Sequence, residues 1–349
     1  KAVKMRQVNH IPAAVLVIAF TLTMAWPRST AFAADPAFEV LPGERQLFLD
    51  DVGIVKIENL TRTMHQPDKK GAVIRPDVAM GEEAKQTRTS PVWNPDRKIF
   101  QFWDIYGNEP PVSNTNGYYE SVDGLHFSKP AMGQIEFRGS TQNNYIAVPL
   151  GAGGRVRLQG VVRDPKDPDP ARRYKAVLLN SGFAVSPDGI HWAKLDVPKI
   201  LSADEGNFSY DPKEGLFIHT VKRSGPNGRT VAVATSTDFE HWEDHGLSFH
   251  ADDLDQELGR ERIEARIADP TLEPIRYNNP ANYRVDVYNM GVFRYESLYI
   301  GMPSMFHSTG AVSNYPNTDG FHLVHLAWSR DLKSWKRLDG RPPFIGPSR

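Results

Sequence analysis

Beyond residue 35 the chain shows little amphipathic periodicity of the helical kind. Short strand-like apolar runs recur instead, at Gln46–Leu49, Ile99–Trp103, Tyr174–Leu179, Leu216–Thr220, Thr230–Ala234, Ser297–Ile300 and His322–Ala327. Clusters of Gly, Pro, Asn and Asp separate them. Many short strands with regular turn signals predict an all-β sandwich, barrel or propeller.

An internal repeat narrows the choice. The pattern Ser-x-Asp-x-x-x-aromatic occurs at Ser121–Phe127, Ser186–Trp192, Ser236–Trp242 and Ser329–Trp335, each time behind a predicted strand. Ser and Asp side chains can hold nearby backbone N–H groups and fix a tight turn, and the aromatic residue can plug the core beneath it. One turn chemistry explains all four copies, so these Asp residues read as structural. Radial repetition of such units predicts a β-propeller. Its blades span about Gln86 to Pro130, Val156 to Leu195, Asn207 to Asp244 and Asp286 to Leu338. A polar insertion from His245 to Asn282 reads as a surface loop. The block Gln46-Leu-Phe-Leu-Asp50-Asp51 is expected to pair with the last blade and close the ring. Too little chain follows the fourth repeat for a whole further blade, so a fifth would be incomplete or completed from the N-terminus.

The first 33 residues follow a different pattern. Lys1, Lys4 and Arg6 precede an apolar run from Ile11 to Trp26, and Ala31-Phe32-Ala33 forms a small-x-small site. That order predicts a signal peptide over 1–33, a propeller domain over 34–349, and a secreted or periplasmic product. The competing reading is a membrane anchor, but the run is shorter than the ~20 residues a spanning helix needs. After cleavage no membrane association is expected. The chain has no cysteine, which excludes thiolate catalysis and thiolate metal sites. Its 41 basic and 42 acidic residues nearly cancel, and no basic stripe suggests a nucleic-acid partner. His65, His126, His191 and His241 have no metal-ligand spacing, and no cofactor is expected.

The Ser-x-Asp-Leu/Phe-x-x-Trp turns resemble those of the five-bladed glycoside hydrolases of families 32, 43 and 68. Arg163-Asp164-Pro165 resembles the Arg-Asp-Pro motif of family 32, and it follows the first strand of the second blade, where that motif belongs. Leu47–Asp51, His65-Gln66-Pro67, Gly139-Ser140, Asn143-Asn144 and Tyr288-Asn289 resemble blocks of secreted bacterial family-32-like proteins. The Trp-x-Asn-Asp-Pro-Asn-Gly nucleophile block and the Glu-Cys acid motif of family 32 are both absent. Fructan specificity is therefore not implied. The resemblance implies an all-β, five-bladed β-propeller with acidic residues at its axis and a carbohydrate substrate.

Glycoside hydrolysis needs two carboxyl groups across the scissile bond. Asp164, Asp204, Glu205 and Asp286 stand beside predicted inner strands and are the catalytic candidates. For Asp164 the competing reading is a turn; for Asp204 and Glu205, a solvated loop pair. Asp164 is expected to share an axial pocket with at least one of the other three. Arg163, Tyr288, Asn289 and Trp103 are the substrate-binding candidates. Two other readings stay open: a non-catalytic carbohydrate-binding propeller, and a sialidase-like enzyme, since the repeat approaches the Asp-box of sialidases.

Overall fold

The turn signals cut the chain into short strands that pair as four antiparallel meanders. The computed structural model describes residues 38–80, 82, 84–105 and 113–347; the expected signal peptide lies outside them. Blade one is β1 (Val92–Asn94), β2 (Ile99–Trp103), β3 (Asn116–Ser121) and β4 (Tyr145–Ile146). A small ribbon, β5 (Val148–Pro149) with β6 (Arg155–Val156), leads to blade two: β7 (Gly160–Arg163), β8 (Tyr174–Val177), β9 (Phe183–Ser186) and β10 (Ala193–Lys194). Blade three is β11 (Gly206–Asp211), β12 (Leu216–Gly225), β13 (Gly228–Ser236) and β14 (Glu243–Phe249). Blade four is β15 (Arg284–Tyr295), β16 (Leu298–Ala311), β18 (Ala327–Ser329) and β19 (Lys336–Arg337), with β17 (Thr318–Val324) also paired to β16.

The propeller arrangement thus has four blades among the described residues, not the five expected. The block at 46–51 forms no strand. It docks on blade four through side chains: Leu47 and Leu49 pack near Leu298, Ile300 and Trp328, while Asp50 accepts from Trp328 Nε1 at 3.0 Å and Arg330 Nη1 at 2.7 Å. The presumed loop after blade three holds a helix, α1 (Asp253–Ala268), started by a capping box between Asp252 and Asp255. Its buried face is Asp255, Gly259 and Ile263. Gly259 lets the helix lie against Val285, whose Cγ2 would stand 2.2 Å from an added Cβ.

All four repeats fold as the expected turn. In each, the Ser hydroxyl accepts from the N–H three residues on, at 2.9 Å in every copy. The Asp carboxylate accepts from the backbone N–H groups two and three residues on, as Asp188 does from Ile190 and His191 at 2.8 Å. The fourth position of every copy has positive φ: Gly124, Gly189, Phe239 and Leu332. At Gly189 an added Cβ would also stand 2.8 Å from the Trp103 ring. Gly189→Ala is therefore expected to destabilise the protein by about 2 kcal/mol or more, left-handed strain plus a clash. A thermal melt matching wild type would refute this account of the turn.

The core lies between blades. Trp103, Tyr118, Val161, Tyr174 and Trp192 fill the interface of blades one and two. Phe183, Phe208, Phe217 and Phe239 fill the next. Ile218, Val233, Val285, Val287 and Met305 fill that of blades three and four.

Contacts between neighbouring blades fix the direction of the inner strands. Thr89 Oγ1 meets Val161 N at 3.1 Å, and further along Asp96 meets Arg163 at 2.8 Å. Gly160 lies against Phe208, and further along Asp164 meets the Tyr210 hydroxyl. Glu205 meets Tyr288 and Asn289, and further along Asp211 faces Arg294 at 3.6 Å. So β1, β7, β11 and β15 all run the same way. Their starts define an amino pole and their ends a carboxyl pole.

Candidate functional site

The amino pole gathers charged side chains from three blades around Glu205, the residue immediately before β11. Arg88, ahead of β1, forms an ion pair with Glu205 Oε1. From β15, the Tyr288 hydroxyl donates to Oε1 at 3.3 Å and Asn289 Nδ2 donates to Oε2 at 3.2 Å. A register shift between Val287 and Asn289 lets these two consecutive residues reach the same carboxylate. Arg88 Nε and Asn207 Oδ1, both buried, have no hydrogen-bond partner among the described residues.

Around this centre the charges alternate. Asp204 pairs with Lys222 Nζ at 2.7 Å, and that ammonium lies 4.0 Å from the centre of the Tyr288 ring. Asp286, fully buried near the start of β15, is gripped by Arg229 through Nε at 2.9 Å and Nη2 at 2.8 Å. The Arg229 guanidinium in turn lies 4.8 Å from the Tyr288 ring centre and 4.6 Å from that of Phe306. His322 meets Tyr288 edge-on at 4.8 Å and bonds Ser304 Oγ at 2.9 Å. Burial pushes the His322 pKa down, and the nearby Arg229 adds to the shift. Burial also pushes the Tyr288 pKa up, with Glu205 adding to it, so the hydroxyl keeps its proton and can donate.

The expected partnership of Asp164 with these acids does not form. Asp164 follows β7 at the carboxyl pole, level with Tyr210, which is five residues beyond Glu205. That separation is about 16 Å at the rise of an extended strand. Asp164 is buried and bonded to Lys175 Nζ at 2.9 Å, which also bonds Asp167 at 2.7 Å and the Arg172 carbonyl at 3.0 Å. Arg163 is at the same pole, paired with Asp96 at 2.8 Å. Trp103 is not placed as a sugar platform either: it is 1% exposed, with Nε1 donating to the Gly189 carbonyl at 2.8 Å. The sequence-predicted residues brought together are Asp204, Glu205, Asp286, Tyr288 and Asn289. Sequence reasoning missed Arg88, Lys222, Arg229 and His322.

Asp164 is tied to a buried cation, which gives a direct test. Lys175→Met is expected to cost about 3 kcal/mol or more, because it leaves two facing carboxylates without their buried counter-charge. Asp164→Asn should weaken the fold while keeping turnover within a few-fold of wild type. Chemical denaturation with a parallel assay checks both; a collapse of turnover in Asp164→Asn with unchanged stability would restore Asp164 to the chemistry.

No protein-family model matches this chain, and no curated protein does. Solved structures similar to it include three carbohydrate-active enzymes. An N-acetylgalactosamine deacetylase from F. plautii is 13% identical with a TM-score of 0.40, covering 77% of each chain. An endo-arabinase from Bacteroides thetaiotaomicron is 10% identical with a TM-score of 0.44, covering 76% of this chain and 82% of that one. A Bombyx mori family-32 β-fructofuranosidase is 12% identical with a TM-score of 0.40, covering 75% of this chain. This chain spans about half of that enzyme's length, 49%. At these values the likeness concerns the path of the chain and transfers no residue roles.

Proposed function

We propose that the protein is an exported glycoside hydrolase that cleaves an oligo- or polysaccharide at the amino pole, with Glu205 as the central carboxyl group. One observation carries the reading. Glu205 stands where blades one, three and four converge, and both its oxygens are held by Arg88, Tyr288 and Asn289. Paired with a guanidinium, it presents a negative carboxylate, the form that attacks an anomeric carbon or activates water. The bonds from Tyr288 and Asn289 are the long ones, so a sugar hydroxyl can take their place. Asp286 and Asp204 are the further carboxyl groups of the pole, each paired with a cation; for one of them to protonate the leaving oxygen, substrate binding has to displace that cation. Tyr288 offers its hydroxyl to a sugar, while its ring already meets the cations of Lys222 and Arg229.

The export part of the proposal rests on the N-terminal pattern. N-terminal sequencing of protein recovered outside the cytoplasm should begin near Ala34.

A second reading is favoured by a specific feature: Glu205, Asp204 and Asp286 each already face a basic side chain. A site so neutralised also suits a propeller that binds glycans without cleaving them. Assaying sugar release from a polysaccharide panel, with binding measured on the same panel, separates the two. Release favours the hydrolase; saturable binding with no release favours the binding module.

A further inference from the structure

Beyond Tyr288, against whose ring Arg229 lies, that same arginine lines a cavity of about 290 Å³ at the amino pole. It lies between the turn joining β12 to β13 and residues 316–318, where the chain enters β17. Its size is at the small end of ligand sites, about 300–1,000 Å³, and suits one sugar ring. Its wall is polar: the hydroxyls of Ser224 and Thr318, the Asn317 amide, and the guanidinium groups of Arg229 and Arg284 around the buried Asp286.

The charge balance of that wall is positive. Asp286 takes Nε and Nη2 of Arg229, which leaves Nη1 uncommitted. Arg284 is exposed and makes no ion pair or side-chain hydrogen bond among the described residues. The turn is also shaped to keep the wall open at Asp286. Gly228 has φ +102, and a Cβ there would stand 2.9 Å from Asp286 Oδ2. Two guanidinium groups against one carboxylate leave a net charge of about one unit facing a polar, sugar-sized space.

The other side of Glu205 repeats the imbalance. Arg157, ahead of β7, is half-buried and likewise makes no ion pair or side-chain hydrogen bond among the described residues. Thr89 pairs with Val161, which brings the segments carrying Arg88 and Arg157 alongside each other. Burial lowers the Arg157 pKa, and repulsion from Arg88 lowers it further. A half-buried guanidinium beside a like charge is costly unless an anion arrives to meet it.

We propose that the glycan recognised at this pole is anionic, carrying carboxylate or sulfate groups, and that the cavity beyond Tyr288 binds one charged sugar through Arg284 and the free edge of Arg229. This rests on the glycan-binding reading of the pole but not on its catalytic part. A guanidinium fork matches either oxyanion geometry and discriminates strongly against an uncharged sugar, which would leave the charge unmet.

The test measures binding, not turnover, by calorimetry on the wild-type full chain, with each probe recovered afterwards and checked to be intact, so that the charges of the pole are those of the native protein. The probes are tetrasaccharides of galacturonate, mannuronate and glucuronate, the methyl esters of each, and a sulfated galactan tetrasaccharide with its desulfated form. At least one charged probe is expected to bind ten-fold or more tighter than its uncharged counterpart, with affinity falling as salt rises. Arg284→Gln, at an exposed and unpaired position, should keep the wild-type melting temperature and remove most of that preference. A uronate that wins identifies the anion as a carboxylate; the sulfated galactan winning identifies a sulfate ester. Equal binding of charged and uncharged probes, binding of no charged probe, or a preference that survives Arg284→Gln would overturn the inference. Failure of the hydrolase reading shows separately, as wild-type protein that binds a charged probe without cleaving it.

Discussion

Glu205→Gln is expected to lower kcat on a cleaved glycan by at least about 10³-fold, within the range for losing a positioned acid–base or nucleophilic group. The substitution keeps the size of the side chain but removes its charge, so Arg88 loses its counter-charge as well. A companion variant isolates the chemistry. Glu205→Asp keeps the charge for Arg88 but withdraws the carboxylate by one methylene, beyond the reach of Tyr288 and Asn289. It should melt close to wild type and still lose about 10²-fold or more, since positioning errors near 1 Å are that costly. Turnover preserved in both variants would show that the reaction occurs elsewhere.

Acid is expected to weaken the fold in two stages. His219, His307 and His325 are buried, and burial is the main cause holding their pKa values down, at about 4, about 4 and about 3. At His325 the neighbouring Arg262 and Arg337 add repulsion. In the unfolded chain each imidazole takes its proton near pH 6.5. Between pH 6.5 and about 4 the unfolded state therefore binds protons that the folded state refuses. The stabilisation is whole above pH 6.5 and shrinks as pH falls through that window. Three such groups together are worth more than about 5 kcal/mol at 1.36 kcal/mol per pKa unit. A second stage belongs to carboxylates. Asp252, bonded to Arg341 against the cost of burial, is held down to about 2; at Asp50 burial is opposed and outweighed by Arg330 and Trp328, with the same result. Their contribution is present above about pH 4 and lost as pH falls toward 2. Urea unfolding at pH 7.5, 5.5 and 4.5 measures the first stage; a free energy that stays flat across those three values would refute it.

The fold was legible where local chemistry repeats. Each Ser-x-Asp turn closes on its own hydrogen bonds, so its sequence alone determines it, and four copies marked four blades. Phe239 and Leu332 show that the pattern tolerates a bulky residue at positive φ when its side chain is buried: both are at most 5% exposed. The helix α1 was not legible from periodicity, because its buried face carries one large apolar residue, Ile263, beside Asp255 and Gly259. Its capping residues, Asp252 and Asp255, were the available signal. The site was half legible. Glu205, Tyr288 and Asn289 stand at inner-strand positions that a propeller brings together. Arg88, Lys222 and Arg229 lie in stretches where a basic residue is unremarked, and only the packing of blades shows which charge each one meets. Asp164 was misplaced because a strand has two ends. The spacing of Arg163-Asp164-Pro165 indicated a strand terminus, and the register between blades decided which pole it belonged to.

That common direction of the inner strands divides the protein's labour. At the carboxyl pole the first two strands of blades one, three and four join through short connections, 95–98, 212–215 and 296–297, and the longer one of blade two, 164–173, is stitched down by the buried pair of Asp164 with Lys175. At the amino pole the connections include the longer stretch 250–283, which holds α1, and the segment ahead of β17. Over evolutionary time the second set of loops can lengthen, shorten or exchange residues without disturbing the first. A descendant of this chain could thereby acquire a different ligand while inheriting the same scaffold unaltered.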